Sequence, residues 1–374
     1  MKFGMFNLMP WPGYPQPPQV YPTPNDAYDP VVGHKLYNDY IEMMVYAEEC
    51  GFDFVGCNEH HFSPYGLMPN CNLIGAILAR ETKTITLNMT GNLLPLSNPI
   101  RVAEEYAMLD VISGGRLVAG FMRGVPHEYI AYNSDPSESR ARQREATQLI
   151  KKCWSETQPF GWEGEFFQFR SISIWPRPIQ KPFPRILMSA SNEESAVFAA
   201  ENGAIMGMGL ISDMKLAKAN IDLFHVTARA NGWESTADDV QLGASTCIAE
   251  TDAEARRIFE TALDYFHNTL MKPTYDALKL VLQSGYFKGQ KAGVSYDGRL
   301  DKVVAKKTID EMIDAGSIIC GSPDTVVKQI KRFKEETGCG RLQLSMAIGD
   351  LPIPAIRRGM ELFRDHVLPE VRDL

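Results

Sequence analysis

Short apolar runs alternate along this chain with longer segments in which apolar residues recur at helical spacing. A run of about four to eight apolar residues bounded by polar or turn residues is typical of a buried β-strand. Strands are predicted at Lys2–Leu8, Phe52–Cys57, Thr84–Leu94, Arg116–Phe121, Arg185–Ser189, Ala204–Leu210, Val240–Ile248 and Leu342–Ile348. Because helical segments separate these strands, the pattern predicts an α/β fold, a (β/α)8 TIM barrel, with residues 1–374 in one domain.

The segments between the strands predict amphipathic helices. Leu36–Cys50 carries apolar residues near the helical period, and Gly51 follows it as a stop signal. Ser322 is a capping residue and Pro323 suits a first helical turn, so a helix is predicted to begin there. Further helices are predicted at Ser139–Glu156, Asn192–Asn202 and Thr325–Thr337.

Two segments are longer than a barrel requires. Pro10–Pro30 follows the first strand and holds eight of the 24 prolines together with Trp11 and three tyrosines. Such a loop can be a spacer, but a loop that follows a barrel strand lies on the catalytic face. The aromatic residues therefore favour a lid over an apolar substrate.

The second long segment runs from about Thr251 to Ile319, between the seventh and eighth predicted strands. Arg256–Leu282 has a helical pattern, and Gln283–Asp301 is rich in Gly, Lys and Ser. Long connections in compact domains tend to be functional or disordered. We expect Gln283–Asp301 to be mobile.

Composition narrows the function classes. The net charge of −8 argues against broad nucleic-acid binding, which requires a basic face. No apolar stretch approaches the roughly 20 residues that span a bilayer, and the N-terminus is typical of a first strand and not of a signal peptide. The seven cysteines form no CxxC pair, which predicts reduced thiols. We therefore expect a cytoplasmic protein that binds neither nucleic acid nor membrane.

Three titratable residues, Glu59, His60 and His61, follow the second predicted strand. Acid–base residues where a parallel strand ends are typical of the working face of a barrel. Because neighbouring strand residues point to opposite sides, Glu59 is predicted to share a face with His61, while His60 faces the pocket alone. A solvated loop and a zinc site are the alternatives, but adjacent ligands diverge and no third ligand is suitably spaced, so no metal is expected.

Other predicted strands also end in residues that suit a bound anion or a close backbone approach. The third contains Thr90 and Gly91, and the fourth ends at Arg123 between glycines, where a guanidinium could contact a phosphate. The fifth is followed by Ser191, Asn192 and Ser195 at the start of a helix, a place that suits either an anion or a simple N-cap. No GxGxxG or GxxxxGK[ST] loop occurs, so a Rossmann or P-loop site is excluded.

In combination, these residues resemble the bacterial luciferase-like, flavin-dependent monooxygenases, and within them the catalytic α-type luciferase subunit. The resemblance covers most of the chain. It rests on Met1–Gly4, Cys50–Asp53, Glu59–Phe62, Gly66–Leu67, Leu94–Pro95, Asn98–Pro99, Arg101, Glu104–Glu105, Leu109–Asp110, Ser113–Arg116, Arg123–Gly124, Ser191–Asn192, Ala199–Gly203 and Gly321–Pro323. It implies a TIM barrel that binds reduced FMN (FMNH2) from a separate NAD(P)H:flavin reductase. Oxygen would add at the flavin C4a carbon, and the peroxyflavin would oxidise a small apolar organic substrate.

The resemblance also implies roles for single residues. His60 matches the histidine tied to catalysis, with Glu59 beside it and Asn58 among the cofactor contacts. Arg123 matches a phosphate-contacting arginine, and the phosphate would lie at the helix that Ser191, Asn192 and Ser195 open. Thr90–Gly91 matches a non-proline cis peptide beneath the flavin ring.

The chain departs from the luciferase pattern, so light emission is not expected. Met122 occupies the position of a reactive cysteine, Asn98 stands where luciferase has histidine, and Ser191 replaces a glutamate. Pro10–Pro30 is an insertion relative to the luciferase subunit. An ordinary monooxygenase is therefore favoured.

Two other functions stay open within the resemblance. One is an F420-dependent oxidoreductase, against which Glu59–Phe62 is typical of the oxygen-activating branch. The other is a non-catalytic flavin-binding subunit, against which His60 and Arg123 are retained. A homodimer is predicted, because the resemblance implies packing near the second and third strands and Cys71–Ala79 is apolar on nearly every face.

Overall fold

Eight parallel strands close into a barrel in this computed structural model, which describes residues 1–14, 20–275, 277 and 307–374. The strands of the described residues are β1 (Lys2–Asn7), β2 (Phe54–Cys57), β3 (Thr86–Met89), β4 (Asn92–Leu93), β5 (Leu117–Met122), β6 (Phe160–Glu163), β7 (Gln168–Ile172), β8 (Arg185–Ser189), β9 (Ile205–Met208), β10 (Val240–Ile248), β11 (Ile318–Gly321) and β12 (Arg341–Ala347). The barrel order is β1, β2, β3, β5, β8, β9, β10 and β12, and β12 pairs with β1. The predicted (β/α)8 barrel is confirmed.

Helices follow most of the barrel strands. They are α1 (Pro30–Glu49), α2 (Cys71–Glu81), α3 (Pro99–Ser113), α4 (Pro126–Ala131), α5 (Ser139–Ser155), α6 (Glu193–Glu201), α7 (Met214–Ala230), α8 (Asp252–Tyr265), α9 (Ile309–Ala315), α10 (Pro323–Thr337), α11 (Ile353–Leu362) and α12 (Leu368–Val371). Ser322 is the N-cap of α10, as predicted, and Asn192 caps α6 through its side chain. In the part of the chain that the structure describes, every helix is too short or too polar to cross a bilayer.

The first helix begins earlier than its apolar pattern predicts. Asp29 accepts hydrogen bonds from the N–H groups of Val31 and Val32, so α1 starts at Pro30 and not at Leu36. Val31 and Val32 are exposed. The only buried residue of the first turn is Gly33, which has no side chain that a periodicity argument could detect.

The predicted strand Thr84–Leu94 is two strands. Thr90 donates hydrogen bonds to the Cys57 carbonyl from its N–H and its hydroxyl, at 2.6 and 2.9 Å. These bonds direct Thr90 toward the end of β2 and separate β3 from β4. The Thr90–Gly91 peptide bond is cis, as the resemblance implies.

Two pieces of the sheet structure were missed by the sequence pattern. β6 and β7 form an antiparallel hairpin apart from the barrel sheet. β11 pairs in parallel with the second half of β10, whose first half pairs with β9, so the long insertion returns to the sheet near its end. The helical prediction for Arg256–Leu282 holds for α8 and a π-helical turn, Phe266–Leu270. Half of its remainder, residues 276 and 278–282, and all of Gln283–Asp301 lie outside the described residues.

A close approach between strands explains one glycine near the site. A Cβ atom at Gly120 on β5 would lie 1.6 Å from the Met89 carbonyl oxygen on β3. Since this neighbour is backbone, no side chain can be added without moving a strand. Glycine at position 120 therefore allows β3 and β5 to meet just before Thr90.

Candidate active site

His60 lies just beyond β2, with its ring held by two groups from other parts of the chain. Its Nδ1 atom is 3.0 Å from Glu128 Oε1 and 2.8 Å from the Tyr65 hydroxyl oxygen. The side chain is 18% exposed, whereas the carboxylate of Glu128 is fully buried. His60 is thus oriented through Nδ1 and keeps Nε2 for another partner.

His61 and Glu59 form a separate pair. His61 Nε2 is 3.2 Å from Glu59 Oε1, and its Nδ1 is 3.1 Å from the Tyr132 hydroxyl oxygen. Burial raises the pKa of Glu59 above its ordinary value, although the hydrogen bond to His61 opposes that shift. The predicted separation of His60 from Glu59 and His61 is present. The predicted strand alternation is not its cause, because β2 ends at Cys57.

His127 extends the group around Tyr65. Its Nε2 atom is 3.5 Å from the Tyr65 hydroxyl oxygen, and its ring packs edge-on against Tyr21 at 4.9 Å between ring centroids. Burial lowers the pKa of His127 to about 4, and the repulsion of His60 and His61 adds to that shift while Glu128 opposes it. His127 is therefore neutral near pH 7.

Glu128, Tyr65 and His127 were missed by the sequence pattern. Glu128 is 68 residues from His60 in the chain, and no spacing rule brings them together. The available signal was Pro126, which follows Arg123 and Gly124. Pro126 begins the short helix α4 directly after β5. A helix at that place turns its first residues toward the ends of neighbouring barrel strands.

Asn58, Thr90 and Gly91 meet at the ends of β2 and β3. Thr90 is bonded to the Cys57 carbonyl, which directly precedes Asn58. Asn58 is 2% exposed, and neither polar atom of its amide has a hydrogen-bond partner among the described residues. A buried amide without partners costs free energy, so it marks a place where a bound molecule could supply them.

Arg123 and Ser191 follow neighbouring strands. β5 pairs with β8 through Phe121 and Met188, so the register puts Arg123 and Ser191 at adjacent strand ends. Arg123 is half-buried, and its carbonyl accepts a hydrogen bond from the Tyr129 hydroxyl. Arg123 and Ser191, which the sequence predicted to lie at one site, therefore follow strands that are neighbours in the sheet.

Asn192 and Ser195 serve the helix itself. Asn192 Oδ1 accepts from the Ser195 N–H at 3.1 Å, and the Asn192 N–H donates to the Ser195 hydroxyl at 3.2 Å. This reciprocal cap uses both side chains. What α6 still offers to an anion is its positive end and the exposed Ser191.

Two arginines of α5 also reach the start of α6. Arg140 forms an ion pair with Glu194, and Arg144 lies 3.8 Å from Glu194 and 3.6 Å from Glu201. The sequence pattern marked Ser139–Glu156 only as amphipathic. The basic residues at 140 and 144, one turn apart on that helix, were the signal for arginines that pair with the glutamates of α6.

The Pro-rich loop covers the segment that follows His60. The Trp11 and Thr23 N–H groups donate to the carbonyls of Pro64 and Phe62, at 2.8 and 3.0 Å. The Tyr21 hydroxyl donates to the His61 carbonyl at 3.2 Å. The described part of this loop thus packs against His61 and the residues that follow it, at the face where a lid would lie.

Within the described ranges, no three His, Cys, Asp or Glu side chains are placed to hold a metal ion. All seven cysteines are buried free thiols, as predicted. The titratable groups that the structure does bring together at this face are the imidazole and carboxyl groups of His60, Glu128, His61 and Glu59.

Several known proteins are similar to this chain in sequence and in fold. The model of the luciferase-like monooxygenase family matches residues 1–340. The alkanal monooxygenase alpha chain of Photorhabdus luminescens is 24% identical over 376 residues, which cover 100% of this chain and 98% of that protein. The oxygenase component of a flavin-dependent trigonelline monooxygenase from Acinetobacter baylyi is 34% identical over 172 residues, which cover 45% of this chain and 47% of that protein.

A solved structure agrees over the whole length. The monooxygenase RslO1 from Streptomyces bottropensis is 28% identical, with a TM-score of 0.75, and the match covers 99% of each chain. The family match spans the barrel from β1 to β11 and every candidate residue described above. The chain belongs to the luciferase-like monooxygenase family and is an enzyme of the oxygenase class.

Proposed function

We propose that this enzyme is the oxygenase component of a two-component system. It takes reduced FMN from a separate NAD(P)H:flavin reductase and uses O2 to oxidise a small apolar organic substrate. The observation that carries the proposal is His60, held through Nδ1 at the C-terminal face of a luciferase-like barrel. Its other nitrogen is left to exchange a proton with a bound molecule.

The residues present fit a flavin. Asn58 offers a buried amide that has no partner among the described residues, which suits the polar edge of the flavin ring. Thr90 and Gly91 would lie beside that ring. The phosphate would be held by Ser191 and by the positive end of α6, which Asn192 and Ser195 shape as its cap, with Arg123 and Arg140 as cations. Reduced FMN, when bound, supplies the electrons that activate oxygen.

The protein's own contribution is to manage protons and exclude water. His60 accepts or returns a proton at Nε2. Glu59 remains a proposed catalytic group, since burial raises its pKa and lets it hold a proton closer to neutrality than an exposed carboxyl would. Tyr21 and Trp11 bring the Pro-rich loop over this face, where it limits the entry of water.

The aromatic loop favours an apolar substrate. Trp11 is buried, and its ring lies 4.7 Å from that of Tyr28. Together with Tyr21 these rings can wall a pocket above His60. We infer that the loop selects the substrate, as a lid and not as a spacer.

A homodimer completes the proposal. Leu73 and Ile77 on α2, and Met108, Val111 and Ile112 on α3, are exposed although they are apolar. These five residues lie on two helices that pack together, and they define what we call the α2–α3 patch. A self-complementary contact with a second copy is the commonest way to cover such a patch.

The buried free thiols support a reducing, cytoplasmic setting.

Flavin binding followed by oxygen reaction tests the function. The protein is titrated with FMN and with F420, each oxidised and reduced, and the complex with reduced FMN is then mixed with O2. We expect selective binding of reduced FMN and a flavin reoxidation rate unlike that of free flavin. Binding of F420 without reduced FMN would instead identify an F420-dependent oxidoreductase, and flavin binding with an unaltered reoxidation rate would identify a non-catalytic subunit.

A further inference from the structure

Glu128 is a buried carboxylate whose two oxygens each have a defined partner. Oε1 is 3.0 Å from His60 Nδ1, and Oε2 accepts the Val125 N–H at 2.8 Å. Its side chain has no exposed surface. We propose that Glu128 is a positioning residue that fixes His60 in the Nδ1–H tautomer, so that Nε2 faces the site as the nitrogen that accepts a proton. The role of this tautomer in catalysis rests on the proposed function.

The tautomer follows from what Glu128 can do chemically. An ionised carboxylate only accepts hydrogen bonds, so the nitrogen 3.0 Å away must carry the hydrogen. In a neutral imidazole only one nitrogen is protonated. With the hydrogen on Nδ1, the lone pair is on Nε2.

Tyr65 is compatible with the same tautomer. Its hydroxyl oxygen, 2.8 Å from Nδ1, can share the Nδ1–H as a second acceptor. Its own hydrogen is then free to point toward His127 Nε2, 3.5 Å away. Because His127 has a pKa of about 4, it is neutral near pH 7 and can accept there.

Glu128 is itself held in place. The Val125 N–H is a backbone donor that cannot change its direction without unwinding the start of α4. Gly124, the residue before Val125, leaves the space that Oε2 occupies, because a Cβ atom there would lie 3.1 Å from that oxygen. The carboxylate therefore has one orientation, and the imidazole must adapt to it.

This arrangement predicts a specific effect of Glu128→Gln. The amide has one accepting and one donating end, and the Val125 N–H requires the accepting end. The NH2 group then faces His60 Nδ1, which must lose its hydrogen and become an acceptor. His60 should therefore change to the Nε2–H tautomer, with the lone pair directed away from the site.

The tautomer is measured by long-range 1H–15N correlation on full-length protein labelled with 15N-histidine, without flavin. The seven histidines give few signals, and His60→Gln assigns that of His60. We expect Nδ1–H as the main form in wild type and Nε2–H in Glu128→Gln. Glu138→Gln is the matched control, because it removes an exposed carboxylate that pairs with Arg142 and should leave the His60 signal unchanged. Wild-type His60 in the Nε2–H form, or no change in Glu128→Gln, overturns the proposal.

A second readout links the tautomer to chemistry. The reoxidation rate of reduced FMN is compared in wild type, His60→Gln and Glu128→Gln. We expect Glu128→Gln to reproduce most of the rate change of His60→Gln while the flavin dissociation constant changes less than about twofold. A normal rate together with a changed tautomer refutes the positioning role. If His60→Gln itself has no effect, the proposed function fails, and the correlation spectrum still decides how His60 is held.

A Glu128→Gln protein that loses its native circular dichroism is replaced by Glu128→Asp. This variant keeps the carboxylate and should keep the hydrogen on Nδ1. Loss of Nδ1–H there counts against the proposal.

Discussion

At the scale of single residues, Asn58 combines deep burial with an amide that makes no hydrogen bond to the described protein. An apolar residue of similar size removes an unsatisfied polar group, whose burial costs about 1–3 kcal/mol. We therefore expect Asn58→Leu to keep or raise the free energy of unfolding of the flavin-free protein. The same change should weaken FMN binding several-fold, because a hydrogen bond contributes about 0.5–1.5 kcal/mol.

Urea unfolding and flavin titration separate these two effects of Asn58→Leu. Asn88→Leu is the control, because Asn88 is also buried but donates to Gln241 at 3.2 Å. That variant should lose stability and keep its flavin affinity. Loss of stability in Asn58→Leu with unchanged flavin affinity would show that the amide has a structural role.

His127 makes the fold sensitive to acid. Its pKa is lowered from 6.5 to about 4 in the folded protein, mainly by burial, so the folded state binds this proton less tightly than the unfolded chain. The contribution of neutral His127 to the free energy of unfolding is complete above about pH 6.5. It is lost as the pH falls toward 4, by about 3 kcal/mol in total. Urea unfolding at pH 7 and pH 4.5 measures the loss. His127→Gln should reduce the difference between the two pH values, and an equal loss in both proteins would assign it to other groups.

The residue scale also shows what a sequence can and cannot locate. Glu59, His60 and His61 stand out because they follow a short apolar run, and that run is β2. Their partners Tyr132, Glu128 and Tyr65 could not be found, since two of these come from beyond β5 and lie near His60 and His61 only after the barrel closes.

At the scale of elements, the ends of β5 and β8, with the start of α6 and the face of α5, form a surface beside the barrel on which arginines are paired with glutamates. Arg140 on α5 is paired with Glu194, so one cation already lies at the start of α6. The sequence pattern predicted α6 and its cap because capping is local. It could not predict Arg140, which reaches α6 from another helix.

Phosphate recognition by this surface is tested with two ligands. Arg123→Ala and Arg140→Ala should each weaken FMN binding by roughly 1.5–3 kcal/mol, the range for hydrogen bonds to charged groups. Riboflavin, which lacks the phosphate, should bind wild type and both variants alike. Arg170→Ala on the hairpin is the control, because it removes an arginine of β7, outside the barrel sheet. If FMN and riboflavin weaken together, the arginines support the fold and do not contact phosphate.

At the scale of the whole molecule, the barrel could be predicted because each of its strands is a buried run followed by a helix. The hairpin of β6 and β7 was missed because all of its residues except Ile172 are exposed or half-buried, so it contains no buried apolar run. β11 was missed because it has four residues and follows a long insertion. Short or poorly buried strands give little periodic signal, so tertiary pairing decides them.

The α2–α3 patch predicts the assembly state. Two copies that meet through this patch would have a mass of twice 41.9 kDa. Size-exclusion chromatography with light scattering at micromolar concentration should give that mass for wild type. The double variant Leu73→Glu with Ile112→Glu should give one chain, since both residues are more than half exposed and the charges would face each other across a two-fold contact. Leu216→Glu, an exposed leucine on α7, is the control and should remain dimeric. A wild-type mass of a single chain contradicts the dimer.

The reaction of the reduced-FMN complex with oxygen tests the account most directly, because it needs no knowledge of the substrate. Protein and reduced FMN are mixed with O2 in a stopped-flow instrument, and flavin absorbance and released hydrogen peroxide are followed together. We predict that bound flavin reoxidises at a rate distinct from that of free flavin, and that His60→Gln alters that rate without loss of flavin binding. Reoxidation at the rate of free flavin, with no difference between wild type and His60→Gln, would contradict the account.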